Sequence, residues 1–71
     1  MNRTEIIMQL EAREQYCNVI LRTTKEEILN ALSSDDTVAS SALPACAARF
    51  VSAYTEKKVL SEQIEIGRAH V

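Results

Sequence analysis

The 71-residue sequence predicts an all-α fold, a two-helix antiparallel hairpin with coiled-coil-like packing. Apolar residues recur at helical spacing in two long segments. Residues 33–36, Ser-Ser-Asp-Asp, lie between those segments and have short polar side chains that favour turns. Neither segment carries a glycine, and the one proline, Pro44, falls where a helix tolerates it.

The first helix is expected over residues 4–32. At 100° per residue its apolar positions stay within about one face; they are Ile6, Ile7, Leu10, Cys17, Leu21, Ile28 and Leu32. Asn2 or Thr4 can cap the start, where Glu5 suits the positive end of the helix. Thr23 and Thr24 each precede a glutamate by three residues, as in a capping box, so a break at this point is the alternative to one continuous helix.

The connector is expected over residues 33–41 and the second helix over 42–65. Asp36 is a candidate cap for a short turn through Val38. Ser40 or Ser41 can cap the second helix, with Pro44 in its first turn. The apolar stripe of this helix suits packing on a neighbouring helix; it contains Leu43, Cys46, Phe50, Ala53, Leu60 and Ile64 and is interrupted by Lys57.

If the turn centres near residues 36–37, partners across the hairpin have residue numbers that add up to about 74, because both helices rise about 1.5 Å per residue. The predicted hairpin seam consists of Leu10, Cys17, Leu21, Ile28, Leu43, Phe50, Leu60 and Ile64. Glu14 and Lys57 fall opposite each other in it and are a candidate ion pair that fixes the register. The alternative is that both side chains lean outwards into water. Cys17 and Cys46 are expected to lie about 16 Å out of register, too far for a disulfide.

A second apolar face is expected on the first helix, opposite its seam. This candidate partner face contains Met8, Ala12, Tyr16 and Val19. A helix that packs on one neighbour normally shows charge there. We therefore expect a third helix or another copy of the chain to cover it, the alternative being scattered apolar side chains that need no partner.

The last six residues, Ile-Gly-Arg-Ala-His-Val at 66–71, resemble translated sequencing adapter. The bases ATC-GGA-AGA-GCA-CAC-GTC encode them, and the next adapter codon, TGA, is a stop. We therefore expect residues 66–71 to be a non-native tail and the hairpin to be the N-terminal part of a longer helical protein. Outside this tail the sequence contains no histidine and no glycine.

These absences argue against catalysis, because an imidazole for acid–base work, a Ser–His or Cys–His pair and a phosphate-binding glycine loop are all missing. We expect no enzyme activity, no cofactor, no metal site and no small-molecule substrate. No apolar run approaches the length of about 20 residues that spans a membrane, and no signal-peptide core follows Met1. The expected compartment is the cytoplasm.

The function that these observations favour is a non-enzymatic helical interaction or structural module, which self-associates or packs on a partner helix. The alternative is a small nucleic-acid-binding regulator of helix-connector-helix type. Arg49, Lys57 and Lys58 lie on the second helix but point in different directions. The net charge of −2 also disfavours binding to phosphate, so we expect a protein partner rather than a nucleic acid.

Overall fold

A computed structural model describes residues 2–34 and 37–69, apart from the side chain of Ala39. Within these residues the chain forms three helices and no strand: α1 (Arg3–Ser33), α2 (Thr37–Ser41) and α3 (Leu43–Ala69). The two long helices pack against each other, and the short α2 lies in the connector. The all-α helical hairpin predicted from the sequence is confirmed.

Helix α1 is continuous, so the alternative break near Thr23 does not occur. The side chain of Asn2 caps it, accepting a hydrogen bond of 2.8 Å from the Glu5 backbone N–H. Thr24 does not start a new helix; its hydroxyl donates to the Ile20 carbonyl one turn back, at 2.7 Å. The helix ends because Ser34 adopts an extended backbone conformation.

The connector differs from the prediction in how α3 begins. Neither expected serine is the first-turn cap: Ser41 donates its hydroxyl back to the Val38 carbonyl at 2.7 Å, within the turn of α2. Helix α3 starts one residue later, and the Ala42 carbonyl accepts its first hydrogen bond, from the Cys46 N–H at 3.1 Å. Pro44 lies in the first turn of α3 as predicted, where it removes no helical hydrogen bond. The candidate cap Asp36 lies outside the described residues.

Helix α3 extends to Ala69, past the predicted end at residue 65. A glycine inside a helix costs about 1 kcal/mol relative to alanine, and one such residue does not stop a helix that has tertiary contacts. Gly67 lies against Ile7, two side-chain carbons of which would be 3.4 Å from a β-carbon on Gly67. Arg68 forms an ion pair of 3.0 Å with Glu11. The adapter origin of residues 66–71 stays a prediction, and His70 lies outside the described residues.

The register is close to the predicted one, since Ile7 faces Gly67 and their numbers add up to 74. Buried and half-buried positions follow each helix in alternating steps of three and four residues, the spacing of a coiled-coil seam. The fully buried ones are Cys17, Thr24 and Ala31 on α1 and Cys46, Ala53, Leu60 and Ile64 on α3. The molecule measures 52 × 15 × 14 Å, so it is a rod one helix pair thick.

Leu32 was expected on the apolar stripe, and this expectation is wrong: its side chain is 67% exposed, whereas Ala31 is buried. The expectation assumed 100° per residue. A seam with steps of three and four residues repeats every 3.5 residues, and a straight helix drifts from that repeat by about 20° per heptad. Over the length of α1 the drift moves Leu32 away from α3 and brings Ala31 into contact.

Candidate functional site

A groove of about 460 Å³ runs along one side of the rod, between α1 and α3. Its floor is formed by the buried seam residues Cys17, Thr24 and Ala53. Ile20 from α1 and Ser52 from α3 lie near its middle. The site is therefore shallow and open, with small or apolar side chains at its centre.

An Arg–Glu–Cys cluster, here called the Arg13 cluster, lies at one end of the groove. Arg13 of α1 makes a two-pronged hydrogen bond to Glu56 of α3, from Nε to one carboxylate oxygen and from Nη2 to the other, the latter at 3.0 Å. The same carboxylate contacts the Cys17 thiol. Bidentate guanidinium–carboxylate geometry is the more specific form of ion pairing, so this contact favours one placement of the two helices relative to each other.

A second cluster of the same composition, the Arg49 cluster, lies at the other end with the helices exchanged. Arg49 of α3 pairs with Glu27 of α1 at 2.6 Å. The Cys46 thiol donates to the same Glu27 oxygen at 3.2 Å, and Arg49 also approaches the Cys46 sulfur at 3.5 Å. In both clusters a seam cysteine and an arginine of one helix share a glutamate of the other.

The charges of the Arg13 cluster perturb each other. The hydrogen bonds that Arg13 donates to the Glu56 carboxylate lower the pKa of Glu56 and raise the pKa of Arg13. Both side chains are well exposed, 52% for Arg13 and 39% for Glu56, so water and salt screen the attraction. The guanidinium of Arg13 also lies over the ring of Tyr16, 4.6 Å from its centroid, which holds the arginine at the rim of the groove.

Cys17, on the groove floor, and Cys46 are both buried free thiols in this structure. Burial raises the pKa of Cys17, and its hydrogen bond to Glu56 raises it further. Because the thiolate is the reactive form, this environment works against nucleophilic chemistry at Cys17. The two cysteines contact different glutamates, which agrees with their predicted separation along the hairpin.

All eight side chains of the predicted seam are buried or half-buried, those of Cys17, Leu60 and Ile64 fully. Cys46 and Ala53, predicted on the apolar stripe of the second helix, are buried as well, whereas the buried residues Thr24 and Ala31 of α1 are on neither predicted stripe. Their signal was present in the steps of three and four residues, but small and polar side chains give it little weight against leucine and isoleucine.

The candidate pair Glu14–Lys57 does not form. Glu14 instead accepts a hydrogen bond from the Ser61 hydroxyl, and Lys57 has no ion pair within residues 2–34 and 37–69. Both side chains are half-buried at seam positions. Glu14 faces Ser61, one helical turn beyond Lys57 on α3, so the carboxylate and the ammonium do not meet.

Two residues of the candidate partner face lie in the groove and two lie outside it. Met8, Ala12, Tyr16 and Val19 are all exposed, the tyrosine by 52% and the valine by 48%. Tyr16 and Val19 line the groove, whereas Met8 and Ala12 do not. The sequence prediction missed the groove itself, in which Tyr16 and Val19 of α1 lie beside Ser52 and Ala53 of α3. Arginine and glutamate next to the seam, on both helices, were the signal that could have revealed it.

The carboxylates along the hairpin serve different partners. Glu11 pairs with Arg68, Glu14 with Ser61 and Glu27 with Arg49. Arg49, one of the cations that suggested nucleic-acid binding, is likewise held by a carboxylate. These side chains thus make contacts between the two helices.

In the part of the chain that the structure describes, no helix combines the length and apolar character needed to cross a membrane. No protein-family model, curated protein or solved structure matches this chain.

Proposed function

We propose that this protein is a non-enzymatic helical interaction module, which completes its core by self-association or by packing on a partner helix. In this proposal the alternating steps of three and four residues act as a coiled-coil seam that holds the hairpin together. The side of the rod that carries the groove is the surface on which a helix of the partner packs. No chemistry is assigned to the side chains of the groove beyond binding.

The observation that carries the proposal is the composition of the buried seam. Of the seven side chains buried among the described residues, five are cysteine, threonine or alanine. Large apolar side chains remain exposed on both long helices, among them Met8, Tyr16, Val51 and Tyr54. The hairpin alone therefore removes little apolar surface from water, at a chain length where one small core is often insufficient.

The proposed compartment is the cytoplasm. Supporting it are two buried thiols that contact carboxylates and an overall sequence without a disulfide pattern. Free thiols of this kind are typical of a reducing compartment, where disulfides are rare.

The proposal is tested by following helicity of the full chain on dilution, using far-ultraviolet circular dichroism. We expect helix content to fall at low concentration and to recover when the protein is concentrated, because isolated helices of this kind are marginal in water. A helix content that stays high and constant over about a hundredfold range of concentration would argue that the hairpin needs no second helical layer.

A further inference from the structure

We propose that the groove is the contact surface between two copies of this chain, which pack groove against groove into a four-helix bundle. The inference rests on the proposed function and names the partner. Its basis is the arrangement of the four charged residues that flank the groove: Arg13, Glu27, Arg49 and Glu56.

These charges have an approximate two-fold pattern. On α1, Arg13 and Glu27 lie at equal distances along the sequence on either side of Ile20. On α3, Arg49 lies three residues before Ser52 and Glu56 lies four residues after it, so these charges are half as far apart along the sequence as those on α1. Because the helices are antiparallel, one end of the groove has arginine on α1 and glutamate on α3, and the other end has the reverse.

Such a pattern is complementary to itself. When the two-fold axis runs along the rod, Arg13 faces the partner's Glu56 and Glu27 faces the partner's Arg49. When the axis crosses the rod, Arg13 faces the partner's Glu27 and Glu56 faces the partner's Arg49. In either arrangement each charge meets an opposite charge, which a closed two-fold dimer requires and which disfavours mismatched partners.

The centre of the groove suits close approach of a second copy. Ser52 and Ala53 are small, so the facing backbones can come near each other. Apolar surface around them comes from Tyr16, Val19 and Ile20. The side chains of Tyr16 and Val19 are about half exposed in the single chain. Apolar contacts at the centre with paired charges at the rim are the usual anatomy of a protein–protein interface.

The first test places a bulky cation at the centre of the groove. Ser52→Arg in the full chain is compared with Thr55→Arg, which adds the same side chain at an exposed position of α3 outside the groove. Sedimentation equilibrium of the wild-type chain, of 7.9 kDa, should show a mass that rises to two chains with concentration. We expect Ser52→Arg to weaken this dimer by about tenfold or more and Thr55→Arg to leave it unchanged.

The second test exchanges the charges of one cluster. The double variant Arg13→Glu with Glu56→Arg keeps an ion pair inside each chain. A change in association then does not come from loss of that ion pair in the single chain. Mixed with wild-type chain it places like charges across the groove in either two-fold arrangement. We expect mixed dimers to form at least about tenfold less readily than wild-type dimers, as like charges across an interface are strongly unfavourable.

Two results would overturn the inference. One is a wild-type dimer that Ser52→Arg and Thr55→Arg affect equally; the other is free mixing of the charge-exchanged and wild-type chains. Both would leave the proposed function intact, because association would still occur through another face. A wild-type chain that stays a single, fully helical species at all concentrations would instead remove the proposed function together with this inference.

Discussion

Among the described residues, Thr24 is the buried residue with a polar side chain. Its hydroxyl donates to the Ile20 carbonyl at 2.7 Å. This carbonyl also accepts the helical hydrogen bond from the Thr24 N–H, so removal of the hydroxyl leaves no buried group without a partner. A threonine hydroxyl that bonds back along its helix therefore adds little to stability and occupies a place where an apolar group can pack.

From this we predict that Thr24→Val leaves the free energy of unfolding unchanged or raises it by up to about 1 kcal/mol. Thr24→Ala should lower it by about 1 kcal/mol, because it removes the branched side chain and opens a gap in the seam. Urea unfolding of the three proteins at one concentration measures the differences. A valine variant less stable than the alanine variant would show that the hydroxyl itself holds the seam.

Glu56 is expected to make the stability of the hairpin depend on pH. Its hydrogen bond with Arg13 lowers its pKa in the folded protein relative to the unfolded chain. The associated stabilisation is complete above the unfolded pKa of about 4.3. It is lost as the pH falls through the lower folded pKa, because only the ionised carboxylate is stabilised by Arg13.

Thermal melting of wild type, Glu56→Gln and the control Glu62→Gln at neutral and acidic pH tests this expectation. We predict that Glu56→Gln is less stable than wild type at neutral pH and that the difference shrinks at low pH. Glu62 has no ion pair within the described ranges, so its variant should follow the wild type throughout. An equal pH response of both variants would contradict a special role for Glu56.

At the residue scale the sequence predicts which positions face the other helix better than it predicts their contacts. Glu14 and Lys57 both lie at the seam, yet the carboxylate accepts from Ser61. The predicted register, in which facing residue numbers add up to about 74, already places Glu14 nearer to Ser61 than to Lys57. The predicted Glu14–Lys57 pair gives more weight to opposite charge than to this register, and the register is the better guide.

At the scale of the helices, apolar residues in the seam hold the hairpin together, whereas apolar residues outside the seam do not. Leu60 is buried in α3, whereas Leu32 near the end of α1 is 67% exposed. We predict that Leu60→Ala lowers the free energy of unfolding by about 2–3 kcal/mol. Leu32→Ala should change it by no more than about 0.5 kcal/mol.

The two leucine variants control for each other, because each removes the same atoms from a long helix. Chemical unfolding at matched protein concentration gives both values. Equal losses would mean that Leu32 also packs on α3, and that the seam follows the straight-helix period rather than the steps of three and four residues.

Gly67 tests whether the last turns of α3 contribute to the hairpin. The residue is helical, has no positive φ, and lies against Ile7. Gly67→Ala should raise the free energy of unfolding by up to about 1 kcal/mol, because alanine loses less backbone entropy than glycine in a helix. Its β-carbon would also contact the flexible end of Ile7 at 3.4 Å.

The matched control is Gly67→Ala in an Ile7→Ala background, in which the new contact is removed and only the helix propensity remains. Thermal melting of the four proteins separates the two contributions. A loss of stability from Gly67→Ala in the wild-type background would show that the approach of Ile7 to Gly67 leaves no room for a methyl group.

At this scale the sequence predicts most of the architecture. Two long apolar stripes and the Ser33-Ser34-Asp35-Asp36 segment suffice for the hairpin and its antiparallel direction. The predicted helix ends at residue 65 because residues 66–71 are set apart as a non-native tail; in the structure Gly67 lies against Ile7 and Arg68 pairs with Glu11. The groove is not predicted, because its four charges become one pattern only when the two helices lie side by side.

The molecule as a whole is a rod one helix pair thick, and most of its surface is far from the seam. Side chains as large as Tyr16, Val51 and Tyr54 stay about half exposed or more. A rod of this kind gains stability when a second layer covers one side, since the added burial acts on residues already ordered by the first layer. Folding and association are therefore expected to be coupled.

The measurement that tests this account most directly is the melting temperature of the full chain as a function of its concentration. If folding is coupled to association, the midpoint rises steadily as the protein is concentrated, because mass action favours the assembled state. We predict such a rise for the wild-type chain. A sharp transition with the same midpoint at every concentration would contradict the account and show that the hairpin is stable by itself.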